Sequence, residues 1–123
     1  MRTLPLAIAI SLVAGAAFAA PPVKTVETAK GNVLAAANGM TLYTYKDDHG
    51  GVSSCYDACA KNWPPFTVEG DAMAEGAYTV VERKDGAKQW AKDGMPLYFF
   101  IKDKKMGDIT GDGLKGEWDV VKP

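Results

Sequence analysis

The chain carries one sequence unit twice, and this duplication limits its possible folds more than any other feature. Residues 38–48, Asn-Gly-Met-Thr-Leu-Tyr-Thr-Tyr-Lys-Asp-Asp, return at a spacing of 55 as residues 93–103, Asp-Gly-Met-Pro-Leu-Tyr-Phe-Phe-Ile-Lys-Asp. The same spacing pairs Trp63 with Trp118, and the alignment needs no gap. Repeated units of this length bury their apolar faces against one another. We therefore expect one domain, residues 20–123, built from two packed copies at about 23–68 and 78–123.

Glycine turns divide each copy into short segments of strand length. Lys30-Gly31 and Asn38-Gly39 correspond to Asp85-Gly86 and Asp93-Gly94, and such pairs supply the positive φ angles of tight hairpins. The intervening segments predict three strands per copy, Val23–Thr28, Asn32–Ala37 and Met40–Lys46, then Tyr78–Lys84, Ala87–Lys92 and Met95–Lys102, with a last strand at Glu117–Val121. The predicted fold is mainly β, with two three-strand antiparallel meanders packed as a small sandwich or barrel.

The third strand of the second copy is expected to be buried on both faces. Tyr98 and Phe100 share one face of this strand, whereas Leu97, Phe99 and Ile101 point to the other face. Both sets are apolar, so neither face is suited to solvent.

Two cysteines occur in the first copy, after its third strand. Cys55 and Cys59 are an even number in a chain that we expect to be exported, which predicts one disulfide. Their spacing fits one helical turn, and we expect a short helix from Cys55 to about Asn62, capped by Ser53 or Ser54. A redox role is disfavoured, because redox pairs usually have the spacing Cys-x-x-Cys in a thioredoxin-like fold.

The first 19 residues have the pattern of a secretory signal peptide. An early Arg2 precedes the apolar run from Leu4 to Ala17, and Ala17-Phe18-Ala19 is a small-x-small cleavage site. The expected location is the bacterial periplasm or the exterior. No cysteine follows the apolar run, so we expect no lipid anchor, and no later segment is long enough to span a membrane. The formal net charge of −1, with both signs mixed along the chain, is unlike a nucleic-acid-binding surface.

The repeated strand carries a family resemblance. Tyr43-x-Tyr45-x-x-Asp48 and Tyr98-x-Phe100-x-x-Asp103 both fit the pattern Tyr-x-(Phe/Trp/Tyr)-x-x-Asp. Together with Cys-x-x-x-Cys-Ala and Trp-Pro-Pro, this pattern resembles a bacterial family of secreted repeats, often described as lipoproteins, whose function is unknown. The resemblance covers roughly Lys30 to Val121. It implies no activity and no catalytic residue, and the missing lipidated cysteine means that it implies no membrane anchoring here.

Several acidic residues are candidates for ligand or metal binding. Asp48 and Asp103 end the repeated strand, where each either binds a ligand or metal or accepts backbone N–H bonds in the following turn. The segment from Asp108 partly resembles a calcium loop, with Asp112 at its fifth position and Asp119 at its twelfth. A glycine turn with solvated carboxylates explains the same residues.

His49 is the only histidine, and it could take part in binding a softer metal such as copper. Neither a nucleophile elbow nor a haem attachment motif is found in the sequence. We therefore predict a non-catalytic binding or interaction module of the cell envelope, without a cofactor, whose ligand or protein partner the sequence does not identify. The alternative is a metal-linked envelope protein, with calcium at residues 108–119 or a softer metal at His49.

Overall fold

The computed structural model describes residues 21–123, so the predicted signal peptide lies outside the described part and stays a prediction. The elements are seven strands and two short helices, in the order β1 (Val23–Thr28), β2 (Gly31–Ala36), β3 (Tyr43–Tyr45), α1 (Ala58–Asn62), β4 (Tyr78–Glu82), β5 (Lys88–Lys92), β6 (Met95–Pro96), a 3-10 turn (Leu114–Gly116) and β7 (Trp118–Val120). The mainly β prediction with one short helix near the cysteines is confirmed. Three small antiparallel sheets pack together, and within residues 21–123 they do not close into a barrel.

The third strand of each copy begins in its own hairpin and then continues beside the other copy. In the first copy, Thr41 still pairs with Ala35 of β2, but Tyr43 pairs with Tyr98 and β3 pairs with β7. Tyr43 and Tyr98 exchange two backbone hydrogen bonds of 2.8 and 2.9 Å. The predicted three-strand meander is formed in the second copy by β4, β5 and β6, and in the first copy the third segment pairs with β2 at Thr41 before it joins the other copy. Tyr43 and Tyr98 are fully buried at this crossing, and each satisfies the backbone N–H and C=O of the other.

The spacing of 55 residues does not hold through the whole structure. Val26 lies opposite Val33, whereas Gln89, and not Lys88, lies opposite Val81. The first hairpin turn of the second copy is longer by one residue, and its second turn is only Asp93-Gly94 between Lys92 and Met95. One turn is longer and the other is shorter by one residue, so the two copies still align without a gap. As a result, Trp90 rather than Gln89 occupies the place of Leu34.

This register places matched residues from both copies in the first core. Leu34 donates its N–H to Val121 O at 2.8 Å, and Trp90 donates in the same way to Phe66 O at 2.9 Å. The buried members of this core are Leu34, Ala36, Leu42, Phe66, Trp90, Leu97 and Val121. The buried members of the second core are Tyr43, Cys55, Trp63, Tyr98, Phe100 and Trp118. Each unit therefore supplies part of the buried apolar surface that stabilises the domain, and neither copy has a complete core alone.

Two local predictions are wrong. Ile101 is 50% exposed, so the third strand of the second copy is not buried on both faces throughout. The chain turns away from the core there, after Phe100 has been buried. The helix begins at Ala58 rather than Cys55, and its N-cap is Asp57, with no side-chain capping bond. Ser53 and Ser54 do not cap it because they lie before the N-cap, and their hydroxyls bond to Tyr98 Oη and to the Asp47 carbonyl.

The disulfide between Cys55 and Cys59 is confirmed, with Cα atoms 5.2 Å apart. Cys55 is fully buried before the helix and Cys59 lies within it. In the described residues, no helix is long and apolar enough to cross a membrane.

Candidate functional site

The repeated tyrosines and aspartates bond across the boundary between the copies. Tyr43 Oη donates to Asp103 Oδ2 at 2.7 Å, and Tyr98 Oη donates to Asp48 Oδ2 at 2.7 Å. All four side chains are buried. The motif residues of each copy are therefore completed by the other copy.

The second oxygen of each aspartate holds the loop that follows. Asp48 Oδ1 accepts the Ser54 N–H at 2.7 Å, and Asp103 Oδ1 accepts the Thr110 N–H at 3.0 Å. The sequence allowed each aspartate either to bind a ligand or metal or to accept backbone N–H bonds. In the structure each carboxylate accepts one backbone N–H and one tyrosine hydroxyl. A charged acceptor in this position makes a stronger bond than a neutral one.

The environments of the two tyrosine–aspartate pairs differ, because a buried arginine lies near only one of them. Arg83 is 3% exposed and donates to Ser53 Oγ at 3.0 Å, to Gln89 Oε1 at 2.9 Å and to the Cys55 carbonyl at 2.8 Å. Ser53 in turn bonds to the hydroxyl of Tyr98. This network fixes the disulfide segment to the second copy.

The protonation of these groups follows from their burial. Burial raises the pKa of Asp48, although the bonds from Tyr98 and Ser54 and the charge of Arg83 act in the opposite direction. Burial, followed by the hydrogen bond to Asp103, raises the pKa of Tyr43, and burial also raises the pKa of Tyr98. Both tyrosine hydroxyls are thus proton donors at neutral pH.

Beside these pairs, four aromatic rings form one continuous stack, in the order Tyr45, Trp118, Trp63 and Phe100. The central Trp63–Trp118 pair has ring centroids 3.7 Å apart and planes within 2° of parallel. Tyr45 stacks on Trp118 at 4.2 Å, and Phe100 stacks on Trp63 at 4.1 Å. Tyr45 corresponds to Phe100 and Trp63 to Trp118, so the four-ring stack has the approximate two-fold relation of the repeat.

Gly111 is required by this stack. A Cβ atom at this position would lie 2.6 Å from Trp63 Cη2 and 2.9 Å from Phe100 Cδ2, well inside ordinary carbon–carbon contact. The Gly111 N–H also donates to Tyr43 Oη at 3.2 Å. The glycine-rich loop of the second copy therefore approaches the rings as closely as only glycine permits.

A cleft of about 520 Å³ opens above the four-ring stack. All four rings line it, together with the disulfide residue Cys59 and Leu114, and both short helices form its walls. Lys102, Lys115, Asn62 and Glu117 supply polar groups at this cleft. Burial of its ring, and then the carboxylates of Asp47 and Glu117, raise the pKa of Tyr45 to about 12, so its hydroxyl remains a donor at neutral pH.

The structure does not bring the proposed calcium ligands together. Asp108 Oδ2 accepts the Lys104 and Lys105 N–H groups at 2.8 and 3.1 Å, and these bonds hold its pKa below the usual range. Asp112 accepts from Lys30 Nζ at 2.7 Å and from the Val120 N–H at 3.0 Å. Although burial acts to raise it, the pKa of Asp112 is lowered by these two partners.

The third proposed calcium ligand and the histidine lie elsewhere. Asp119 lies 4.0 Å from Lys46 Nζ, and His49 is exposed in a turn where it pairs with Val52. Across residues 21–123, no three His, Cys, Asp or Glu side chains are grouped so that they could hold a metal ion. The described contacts do not favour the metal-linked alternative.

Sequence reasoning identified the rings and the motif residues but missed their partners. Arg83, Gln89, Ser53 and Gly111 are in no repeated motif, and a buried arginine has no local sequence signal. The exposed Lys102 and Lys115 also follow no pattern that would place them at one cleft.

Comparison with known proteins identifies the family and not an activity. The family model described as a secreted repeat of unknown function matches residues 24–67 and 79–122. Searches of curated proteins and of solved structures found no match. The two matched segments coincide with the two copies that exchange the tyrosine–aspartate bonds. The chain therefore belongs to this family of secreted repeats of unknown function and carries two copies of the repeat.

Proposed function

We propose that this secreted repeat protein is a non-catalytic binding module of the bacterial cell envelope, and that the cleft above the four-ring stack is its ligand site. The observation that carries the proposal is the construction of that cleft. Its floor is a rigid aromatic surface to which both copies contribute equally. Ligand sites are concave, mainly apolar surfaces with a few placed polar groups, and the cleft has this character.

The rigidity of the floor favours binding. The ring of Tyr43 contacts Trp63 edge-on at 5.2 Å, and Tyr98 contacts Trp118 edge-on at 5.3 Å. The tyrosine–aspartate bonds fix both tyrosines, so they hold the stack from both sides. A surface that is ordered before the ligand arrives loses little further conformational entropy on binding.

The polar groups of the repeated motif stabilise the fold rather than take part in a reaction. The carboxylate oxygens of Asp48 and Asp103 are engaged in hydrogen bonds within the domain. In a binding protein, these carboxylates serve to hold the tyrosines, and through them the stacked rings, in place. An envelope location accords with the family, which is described as secreted, and with the predicted signal peptide.

Binding can be tested with the neutral fluorescent probe N-phenylnaphthylamine. Leu114 is 37% exposed at the cleft, so Leu114→Asn removes apolar contact area without opening either core. We expect this variant to bind the probe about fivefold more weakly, which corresponds to the loss of part of a leucine side-chain contact. Met73→Asn is the matched control, because Met73 is 58% exposed and does not line the cleft.

The fluorescence of the native chain also reports on the site. Trp63 and Trp118 lie at the cleft, whereas Trp90 lies in the other core. Energy transfer from tryptophan to bound probe should therefore decrease with Leu114→Asn and stay unchanged with Met73→Asn. A native chain that does not bind the probe, or equal binding by all three proteins, would contradict the proposed site.

A further inference from the structure

We infer that the ligand of this cleft is an organic anion with a flat aromatic body, such as an aromatic carboxylate or sulfonate. The inference rests on the proposed binding function and adds the chemical class of the ligand. It is carried by the combination of an aromatic floor with two lysines at the same cleft.

The floor selects for a flat, apolar body. The cleft contacts all members of the four-ring stack, and the exposed Leu114 adds an aliphatic contact. Both faces of Trp63 and Trp118 are covered within the stack, so a ligand meets these two rings at their edges. Edge-on contacts between aromatic rings are favourable beyond the area that they bury. A volume of about 520 Å³ accommodates a molecule of two or three fused or linked rings.

The lysines supply a positive charge that the protein does not neutralise locally. Lys102 and Lys115 both line the cleft and are exposed. Among residues 21–123, neither ammonium group has a carboxylate within 4.0 Å. Glu117 is the one carboxylate in the described lining, and it lies near the hydroxyl of Tyr45. The lining residues therefore have one positive charge in excess, and this charge complements an anion.

The backbone at Lys115 gives a second reason to assign a role to this lysine. Its φ and ψ are 54° and 14°, in the left-handed region where a side chain is disfavoured and glycine is favoured. Gly113 and Gly116, on either side, have φ angles of 77° and 69°. A lysine in this turn is less stable than a glycine, but it places a positive charge at the cleft that a glycine does not supply.

The test compares two probes that share one ring system. Anilinonaphthalene sulfonate carries the anion, and N-phenylnaphthylamine lacks it. The double variant Lys102→Gln/Lys115→Gln should weaken sulfonate binding about tenfold, because each exposed ion pair is worth a few-fold in affinity. Binding of the neutral probe should change less than twofold. Raising the salt concentration should weaken sulfonate binding by the native chain and leave neutral-probe binding unaffected.

Matched variants separate local charge from net charge and from folding. Lys104→Gln/Lys105→Gln makes the same change in net charge nearby in sequence but outside the cleft lining, so it should leave sulfonate binding unchanged. Lys115→Gly should raise the midpoint of thermal unfolding while weakening sulfonate binding as much as Lys115→Gln does. A variant that binds weakly because it is unfolded would instead show a lowered midpoint.

The outcomes distinguish this inference from the function on which it rests. If both probes bind the cleft and the lysine variants affect them equally, the anion inference is overturned and the binding function stands. If neither probe binds, or if Leu114→Asn affects neither, the proposed function itself is overturned. A tenfold loss confined to the sulfonate probe, with the Lys104/Lys105 control unchanged, supports both.

Discussion

The tyrosine–aspartate bonds predict energetic coupling between residues of different copies. We consider the substitutions Tyr43→Phe and Asp103→Asn, alone and together. Tyr43→Phe removes only the hydroxyl, which is the hydrogen-bond donor to Asp103 Oδ2 at 2.7 Å. The ring remains able to keep its edge-on contact with Trp63.

The structure sets the expected magnitude. Both residues are buried, and no other donor to Asp103 Oδ2 is found in residues 21–123. Losing a hydrogen bond to a buried charged group costs about 1.5–3 kcal/mol. The Gly111 N–H also loses its acceptor in Tyr43→Phe, so this single variant should lie at the upper end of that range. The coupling energy between Tyr43 and Asp103 should be about 1–2 kcal/mol.

The measurement is a double-mutant cycle from urea unfolding at neutral pH, followed by tryptophan fluorescence. The matched control is the cycle of Tyr43→Phe with Asp48→Asn, because Tyr43 and Asp48 belong to the same copy and do not hydrogen-bond. These two substitutions should be additive within about 0.5 kcal/mol. The mirror cycle of Tyr98→Phe with Asp48→Asn should be coupled like the first.

The reasoning is refuted by the opposite pattern. If Tyr43 couples to Asp48 and not to Asp103, the motif acts within each copy and the cross-copy arrangement is wrong. If all cycles are additive, these bonds contribute no specific stability, and the motif residues are retained for another reason.

Three further predictions concern the stack, the helix cap and pH. Gly111→Ala should destabilise the fold by about 2–3 kcal/mol and weaken the near-ultraviolet circular dichroism of the stacked tryptophans, because its Cβ would overlap Trp63. Gly116→Ala should cost only about 1 kcal/mol, since its φ is positive but the space around it is open; equal costs would argue against the stack. Asp57→Gly should raise the free energy of unfolding by about 1 kcal/mol, because the φ and ψ of Asp57, 56° and −122°, are strained for a side chain, whereas Asp57→Ala should not. The raised pKa of Asp48 means that the folded state binds more protons than the unfolded state above about pH 4, so its contribution to stability falls as pH rises. The stability of the native chain minus that of Asp48→Asn should accordingly decrease between pH 4 and 7, and an increase over this range would contradict the assigned shift.

The sequence predicted the features that are determined locally or by repetition. The hairpin of Val23–Thr28 with the following strand, the disulfide and the end of the helix before Pro64 all follow from turn residues, spacing and breakers. The duplication predicted two units in one domain, and the repeated Tyr-x-aromatic-x-x-Asp pattern indicated the family.

The site could be predicted only in part. The aromatic residues of the stack were recognisable as a set, since Tyr45, Phe100, Trp63 and Trp118 occupy equivalent positions in the two copies. Their order in the stack and their position beside a cleft were not, because these depend on how one copy lies against the other. Even the gapless alignment was misleading at β5, where two compensating turn lengths shift the register and place Trp90 in the core.

By itself, the sequence determined that this protein is a duplicated, mainly β secreted repeat with one disulfide, because these properties depend on short-range patterns and on recurrence. Only the tertiary structure decided that each repeated tyrosine serves the aspartate of the other copy, that Arg83 joins the disulfide segment to the second unit, and that a cleft with two lysines lies above four stacked rings. The physical reason is that hydrogen-bond partners and ring contacts between residues some 60 positions apart are selected by the packing of two units, which periodicity within one unit does not specify.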